Sequence, residues 1–261
     1  MGMPAPGAWD TRPISSGAAV PVRARRRLAG VMARLWADAE ADYRERLLES
    51  LRPDPGAVLL DVGCDDGAWT EKLRQILGIP ARQVRGLEIV PERAELAHAR
   101  GFDVRTGDLD GPWPFGDGSV DVVPANQVIE HVRRLDHFVA EIRRVLVSNG
   151  RALVCTENLA SWHNVASLAL GYQPFSLSNI SNLRPIGNPF ALHAGEVPAG
   201  ESWQHLHVLS LTALVDLFRA HGFAIETSWG AGYHPLPQRV ARGLARLDPR
   251  HAHFIAVVAR A

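Results

Sequence analysis

The stretch VLLDVGCDDG, residues 58–67, decides how the chain folds. An apolar run carries Asp61 and then breaks at Gly63 and Gly67, with Cys64, Asp65 and Asp66 between them. Glycine adopts positive φ without a Cβ penalty, so a buried strand that ends this way is turning sharply. The next residues, AWTEKLRQIL at 68–77, read as a helix, which makes the unit strand, glycine turn, helix.

Working outward, the unit repeats. QVRGLEI at 83–89 reads as a second strand, and PERAELAHAR at 91–100 as a helix with proline in its permitted first turn. FDVRTG at 102–107 and SVDVVPAN at 119–126 read as the third and fourth strands, LDHFVAEIRRVL at 135–146 as an amphipathic helix, and RALVCTE at 151–157 as the fifth strand. Alternating strands and helices call for a mostly parallel, doubly wound sheet of the α/β Rossmann-like class. Upstream, residues 24–52 read as a helix, with Leu28, Val31, Met32, Trp36, Tyr43 and Leu47 on its apolar stripe. Downstream, residues 211–223 read as a helix, and 224–230 and 251–260 as strands, which completes seven. The expected division is an N-terminal tail and helical region over 1–54 and a main domain over 55–261, with a lid inserted at 158–206.

Composition bounds the function. The chain has 261 residues, 46% of them hydrophobic, enough for a large core. Lysine plus arginine equals aspartate plus glutamate at 28 each, which argues against a nucleic acid backbone as the main partner. The basic run RARRR at 23–27 reads as a solvated helix face. No apolar stretch approaches the length of a membrane span. The first twenty residues lack a basic segment followed by an apolar one, so they read as a loose tail or a flap, not a signal peptide. The two cysteines, Cys64 and Cys155, lie in or beside apolar runs and read as reduced, half-buried thiols, which suits the cytoplasm.

An open parallel sheet binds ligands at the carboxyl ends of its strands, where the glycine turn sits. Glu88 ends the second strand, placed to accept ribose hydroxyls. Both features point to an adenosine-containing cofactor. A dinucleotide is disfavoured, because its glycine pattern would require glycine where Asp65 and Ala68 stand. Asp61, Asp65 and Asp66 make the turn negative, which suits a sulfonium or amine better than a pyrophosphate.

These segments, in this order, resemble the motifs of class I S-adenosylmethionine-dependent methyltransferases, in the small-molecule type common in bacteria. VLLDVGCDDG is similar to the first motif, RGLEIVPERAELAHARG to the second, and residues 107–132 to the third and fourth. Residues 139–158 match the helix and fifth strand that follow. The resemblance implies S-adenosyl-L-methionine as cofactor. It places Asp61, Gly63 and Cys64 by the methionine part, Gly67 at the next helix start, Glu88 on the ribose, and Ile89, Asp108 and Leu109 around the adenine. It places Asn126 and Gln127 between cofactor and acceptor. The family usually has glycine where this chain has Asp65, whose carboxylate either turns outward or tightens the loop.

A hydroxyl acceptor must lose a proton as the methyl arrives, so a base is needed. Among 11 histidines, His131 follows the fourth strand and His163 follows the fifth, making them the first and second candidates. Trp162 and Tyr172 are candidate walls of an acceptor pocket, with His205, His207 and His234 as further substrate contacts. On an extended segment His205 and His207 share a face. No metal signature is recognisable, and His251 and His253 read as structural. The expected activity is methyl transfer to a hydroxyl of a small molecule such as a sugar or natural product. The alternatives are N-methylation of a small molecule, a protein or RNA methyltransferase, and a non-catalytic cofactor-binding protein. The helix at 24–52 either adds a wall to the site or makes a homodimer contact.

Overall fold

The computed structural model describes residues 22–191 and 204–261, without the side chains of 22–29 and 31. The tail, the RARRR side chains, Leu28, Val31 and residues 192–203 of the insertion therefore lie outside the described residues.

Seven strands form one sheet: β1 (Leu59–Val62), β2 (Val84–Glu88), β3 (Asp103–Thr106), β4 (Val120–Asn126), β5 (Leu146–Glu157), β6 (Ala224–Ala231) and β7 (Phe254–Arg260). Their order is β3-β2-β1-β4-β5-β7-β6. Strands β1 to β5 pair in parallel, and β7 runs antiparallel between β5 and β6. The order reverses at β1, so the glycine turn leaves the sheet at the crevice where such folds receive ligands.

Both faces of the sheet are covered, and strand periodicity shows how. On β1, Leu60 and Val62 enter one core cluster while Leu59 enters the other. On β7, Ile255, Val257 and Ala259 face the first cluster, and Phe254, Ala256 and Val258 the second. A strand buried on both sides reads as a continuous apolar run, as these do. The helices are α1 (Val22–Glu49), α2 (Ala68–Leu77), α3 (Pro91–His98), α4 (Leu135–Val145), α5 (Trp162–Ala169), α6 (Leu211–Ala220) and α7 (Gln238–Leu247). Helix α4 buries Phe138, Val139, Ile142 and Val145, spaced by three and four residues. Each such burial contributes about 1.5–3 kcal/mol. Helix α1 lays Ala39, Tyr43 and Leu47 on the opposite face, with the Tyr43 ring 4.4 Å from that of Phe254.

Two elements and the two cysteines differ from the sequence reading. Strand β5 begins at Leu146, because Leu146 pairs with Val120 before the register shifts and Arg151 pairs with Val122. Helix α7 was not read at all. Its inner face is Ala241, Leu244 and Ala245 under Tyr233 and Ala252, an apolar stripe at helical spacing between arginines that the sequence reading passed over. The two cysteines are free and fully buried, not half-buried. Among the described residues, no helix is long and apolar enough to cross a membrane.

Candidate active site

The glycine turn is built around Glu88. The backbone N–H of Asp65 donates to Glu88 Oε2 at 2.8 Å, and that of Val90 donates to Oε1 at 3.0 Å. The carboxylate thus ties the turn after β1 to the end of β2. Asp65, at φ 49°, turns its own side chain outward, and Oδ1 lies 3.3 Å from Arg93 Nε. Its backbone amide tightens the loop while its side chain leaves it. Gly63 has φ +69°, and a Cβ there would stand 2.6 Å from Val128 Cγ2, so the segment after β4 presses directly on the turn. Gly67, at φ 76°, caps α2. Asp61 is buried and accepts from Thr70 Oγ1 at 2.6 Å. Burial pushes its carboxyl up to about 7, with a smaller upward push from Glu88 and an opposing one from the Thr70 bond.

Beside the turn opens a cavity of about 420 Å³. Gly63, Cys64, Asp65, Asn126 and Gln127 line it at the strand ends. His131, His163, His205 and His234 line it as well. Candidates from four separate regions of the sequence therefore meet in one space. Glu88, Ile89, Asp108 and Leu109 lie outside its wall, along the ends of β2 and β3. Ile89 is 51% exposed there, and Asp108 Oδ1 accepts from the Asp110 N–H in a local turn.

The remaining candidates are placed elsewhere. Trp162 Nε1 donates to Tyr233 Oη at 3.1 Å and its ring stacks on His251, so it packs at the surface, away from the cavity wall. Tyr172 meets Phe190 edge-on. His207 is hydrogen-bonded to the Arg133 carbonyl at 3.3 Å, whereas His205 Nδ1 bonds the Ser176 carbonyl at 2.7 Å, so the pair does not act together.

His131 sits in the turn between β4 and α4, ahead of the helix rather than in it. Its Nδ1–H donates to the Gln204 carbonyl at 2.8 Å, which leaves Nε2 as the acceptor nitrogen. Its ring meets His205 edge-on at 4.9 Å. Burial, and then His205, lower its pKa to about 4, so it is uncharged at neutral pH. Beside it, Glu130 is 1% exposed and accepts from Thr156 Oγ1 at 2.9 Å. Burial pushes that carboxyl up to about 7, against a downward pull from His205. His163 and His234 are lowered by burial to about 3 and about 4, and buried His253 lies well below the ordinary value.

Four groups bordering the cavity hold buried side-chain atoms with no partner among the described residues. They are Arg44 Nε, Trp69 Nε1, Asn126 Oδ1 and Glu130 Oε1. Orphaned polar atoms around one cavity are costly unless a ligand or ordered water serves them. Arg44, Trp69, Glu130 and His253 were missed by the sequence reading. Only Glu130 left a trace, through its place beside His131.

A methyltransferase-domain family profile matches residues 29–228. A probable S-adenosylmethionine-dependent methyltransferase of Mycolicibacterium smegmatis is 32% identical over 204 residues, covering 77% of this chain and 62% of that protein. The rat mitochondrial ubiquinone biosynthesis O-methyltransferase is 27% identical over 208 residues, covering 74% of this chain and 53% of that protein. The chain thus spans less than two thirds of either relative's length. Among solved structures, an S-adenosylmethionine-dependent methyltransferase from Mesorhizobium loti superposes with a TM-score of 0.55 at 19% identity. That match covers 83% of this chain and 96% of that one, and it shows the fold.

Proposed function

We propose that this chain, which belongs to the S-adenosylmethionine-dependent methyltransferases, methylates a hydroxyl of a small molecule, with His131 as the base. The observation that carries the reading is the set of orphaned atoms around the cavity, with His131 Nε2 left as an acceptor beside them.

The residues present fit the cofactor. Gly63 lets the turn close against Val128, Glu88 fixes the loop that would border the ribose, and Ile89 offers an exposed apolar face for adenine. Arg44 Nε and Trp69 Nε1 are unpaired donors suited to the amino-acid carboxylate, and Asn126 Oδ1 is an unpaired acceptor suited to its ammonium. When bound, S-adenosylmethionine supplies an electrophilic methyl group on a sulfonium sulfur.

The chain's own contribution is alignment and proton transfer. The β4 end and the 127–131 turn line the space where the acceptor would be held beside the cofactor, and such positioning can supply several kcal/mol of the barrier reduction. With the cofactor bound, the acceptor hydroxyl would pass its proton to His131 Nε2 as its oxygen takes up the methyl group. The Gln204 carbonyl holds the ring in the required tautomer. Glu130 and Glu157 line the same cavity. The lid, through Phe175, Ser176 and Ser178, and helix α1, through Met32, Trp36 and Tyr43, exclude water from that space. The rat relative's name places its methyl on oxygen, which supports the same choice here. The near-neutral composition supports a small acceptor over a nucleic acid.

The test is a screen of sugar, phenol and amine acceptors with methyl-labelled cofactor, followed by His131→Ala. The expected result is oxygen methylation that falls about 100-fold in the variant with cofactor affinity nearly unchanged. Near wild-type O-methylation in His131→Ala, or exclusive amine methylation, overturns the assignment.

A further inference from the structure

The cavity holds a second histidine cluster that the proposed transfer does not use. His163 comes from the first turn of α5, His234 from the loop after β6, and His253 from the residue before β7. The ring centroids lie 4.5 Å apart for His163 and His253, 5.4 Å for His163 and His234, and 4.4 Å for His234 and His253. One ring nitrogen from each can be chosen so that all three fall within 4.8 Å of one another. The Nδ1 atoms of His234 and His253 face each other at 2.5 Å.

Ring nitrogens of neutral imidazoles that converge in this way either share a proton or hold a cation. A shared proton joins two of the three and leaves the third unserved, whereas a cation serves all three. A tetrahedral ion with nitrogen ligands at about 2.0–2.1 Å spaces those nitrogens about 3.3 Å apart. His234 and His253 would have to separate by less than about 1 Å to reach that spacing. An all-imidazole set favours zinc-like ions over magnesium or calcium, which prefer oxygen. The rings also have outer partners of the kind that orient metal-bound imidazoles. Ser161 Oγ lies 3.4 Å from His163 Nε2, and the Met32 backbone stands close enough to the His234 ring to favour its charged form. All three histidines line the cavity.

We propose that His163, His234 and His253 form a three-histidine site for a divalent transition ion of the zinc and cobalt class, with its fourth position open to the cavity. Three protein ligands and one open position are the arrangement of metal sites that meet a substrate, while closed sites use four. The site itself stands apart from the methyl-transfer reading. Its consequence for substrate rests on that reading: the acceptor would present a second oxygen or nitrogen to the ion, beside the hydroxyl that is methylated.

The experiment uses the full chain stripped with a chelator and titrated with cobalt(II) alone. Tetrahedral ligand-field absorption is followed, and zinc stoichiometry is measured by elemental analysis. One equivalent of cobalt should bind and be displaced by zinc. His163→Gln should weaken binding at least tenfold, the His163→Gln/His253→Gln pair should abolish the absorption, and Glu130→Gln/His205→Gln should leave it in place. No absorption from the unaltered chain overturns the site, as does absorption that survives the histidine pair or vanishes only with Glu130 and His205 replaced. Calorimetry with S-adenosylhomocysteine reports whether each variant is folded. If the pair fails that control, the unaltered chain and the single His163→Gln variant decide. Intact cobalt binding without any cofactor binding would sink the methyl-transfer reading and leave the metal site standing.

Discussion

Thr156 Oγ1 donates a 2.9 Å hydrogen bond to Glu130 Oε2, while Glu130 Oε1 is buried with no partner among the described residues. Half of this carboxyl is served and half is not, and burial holds its proton on up to about pH 7. Glu130→Gln keeps the shape and the Thr156 bond but removes the charge. At pH 8 the variant should be more stable than the unaltered chain by roughly 1–3 kcal/mol, and at pH 5 about equal to it. Urea unfolding at the two pH values decides this, and an equal gain at both would show that charge is not the cause.

The wider pH dependence follows from opposing groups. Asp61 and Glu130 have folded values raised to about 7 from 3.8 and 4.5, so the folded state holds their protons more tightly. Their contribution falls as pH climbs through that window. His131, His163 and His234 are lowered from 6.5 to about 4, about 3 and about 4, and His253 is lowered further than its ordinary range. Their contribution is present above 6.5 and is lost as pH falls toward 4. Four histidines outweigh two carboxyls, so the ligand-free chain should gain stability from about pH 4.5 to 6.5. Each uncancelled group adds up to about 1.4 kcal/mol per pH unit. Denaturation midpoints across that range test the sign.

Gly63→Ala should disturb both fold and ligand binding. The new Cβ meets Val128 Cγ2 at 2.6 Å, on a backbone at φ +69°. Strain of this kind costs roughly 1–3 kcal/mol. Chemical unfolding and calorimetry with S-adenosylhomocysteine should both register the loss, and an unchanged affinity would separate the turn from the cofactor.

Arg44→Ala should weaken cofactor binding by about tenfold or more, because a charged donor would be lost from the carboxylate end. Arg44→Lys should rescue little of it, since an ammonium does not reproduce the guanidinium's planar donors. Affinity unchanged in both variants would assign Arg44 to its Glu40 ion pair at 2.7 Å and nothing more.

Glu88→Ala should cost roughly 1.5–3 kcal/mol of cofactor affinity. The carboxylate accepts from the Asp65 and Val90 amides, so the variant also loosens the loop. Faster amide exchange at Asp65, measured without cofactor, would report that loosening separately from any lost contact to ribose.

The sheet was legible because its signal is local. Leu59, Leu60 and Val62 announce a strand buried on both faces, and Gly63 and Gly67 announce the turn that follows. Glu88, whose carboxylate ties the glycine turn to β2, was legible for the same reason, since it ends a strand. The cavity was only half legible. Arg44 and Trp69 look like any arginine and tryptophan on amphipathic helices, and only the tertiary fold leaves their nitrogens buried without partners. His253 read as a packing residue because nothing in HAHFIAVVAR reveals that residues 163 and 234 converge on it. His207 went the other way. Alternation put it beside His205, but the segment runs alongside the 130–133 turn and carries it to Arg133.

One wall of the cavity comes from Met32 to Arg44 on α1, and another from His253 at the entrance to β7. A nascent chain therefore makes the first wall long before the second exists. The pocket is complete only once β7 lies between β5 and β6. A ligand that touches both walls acts as a clasp across the chain. At a hundredfold excess over its Kd it adds about 2.7 kcal/mol to the closed state. Clipping the chain inside β7 would release that clasp together with the strand, turning a loss at one edge of the sheet into a loss of grip on α1.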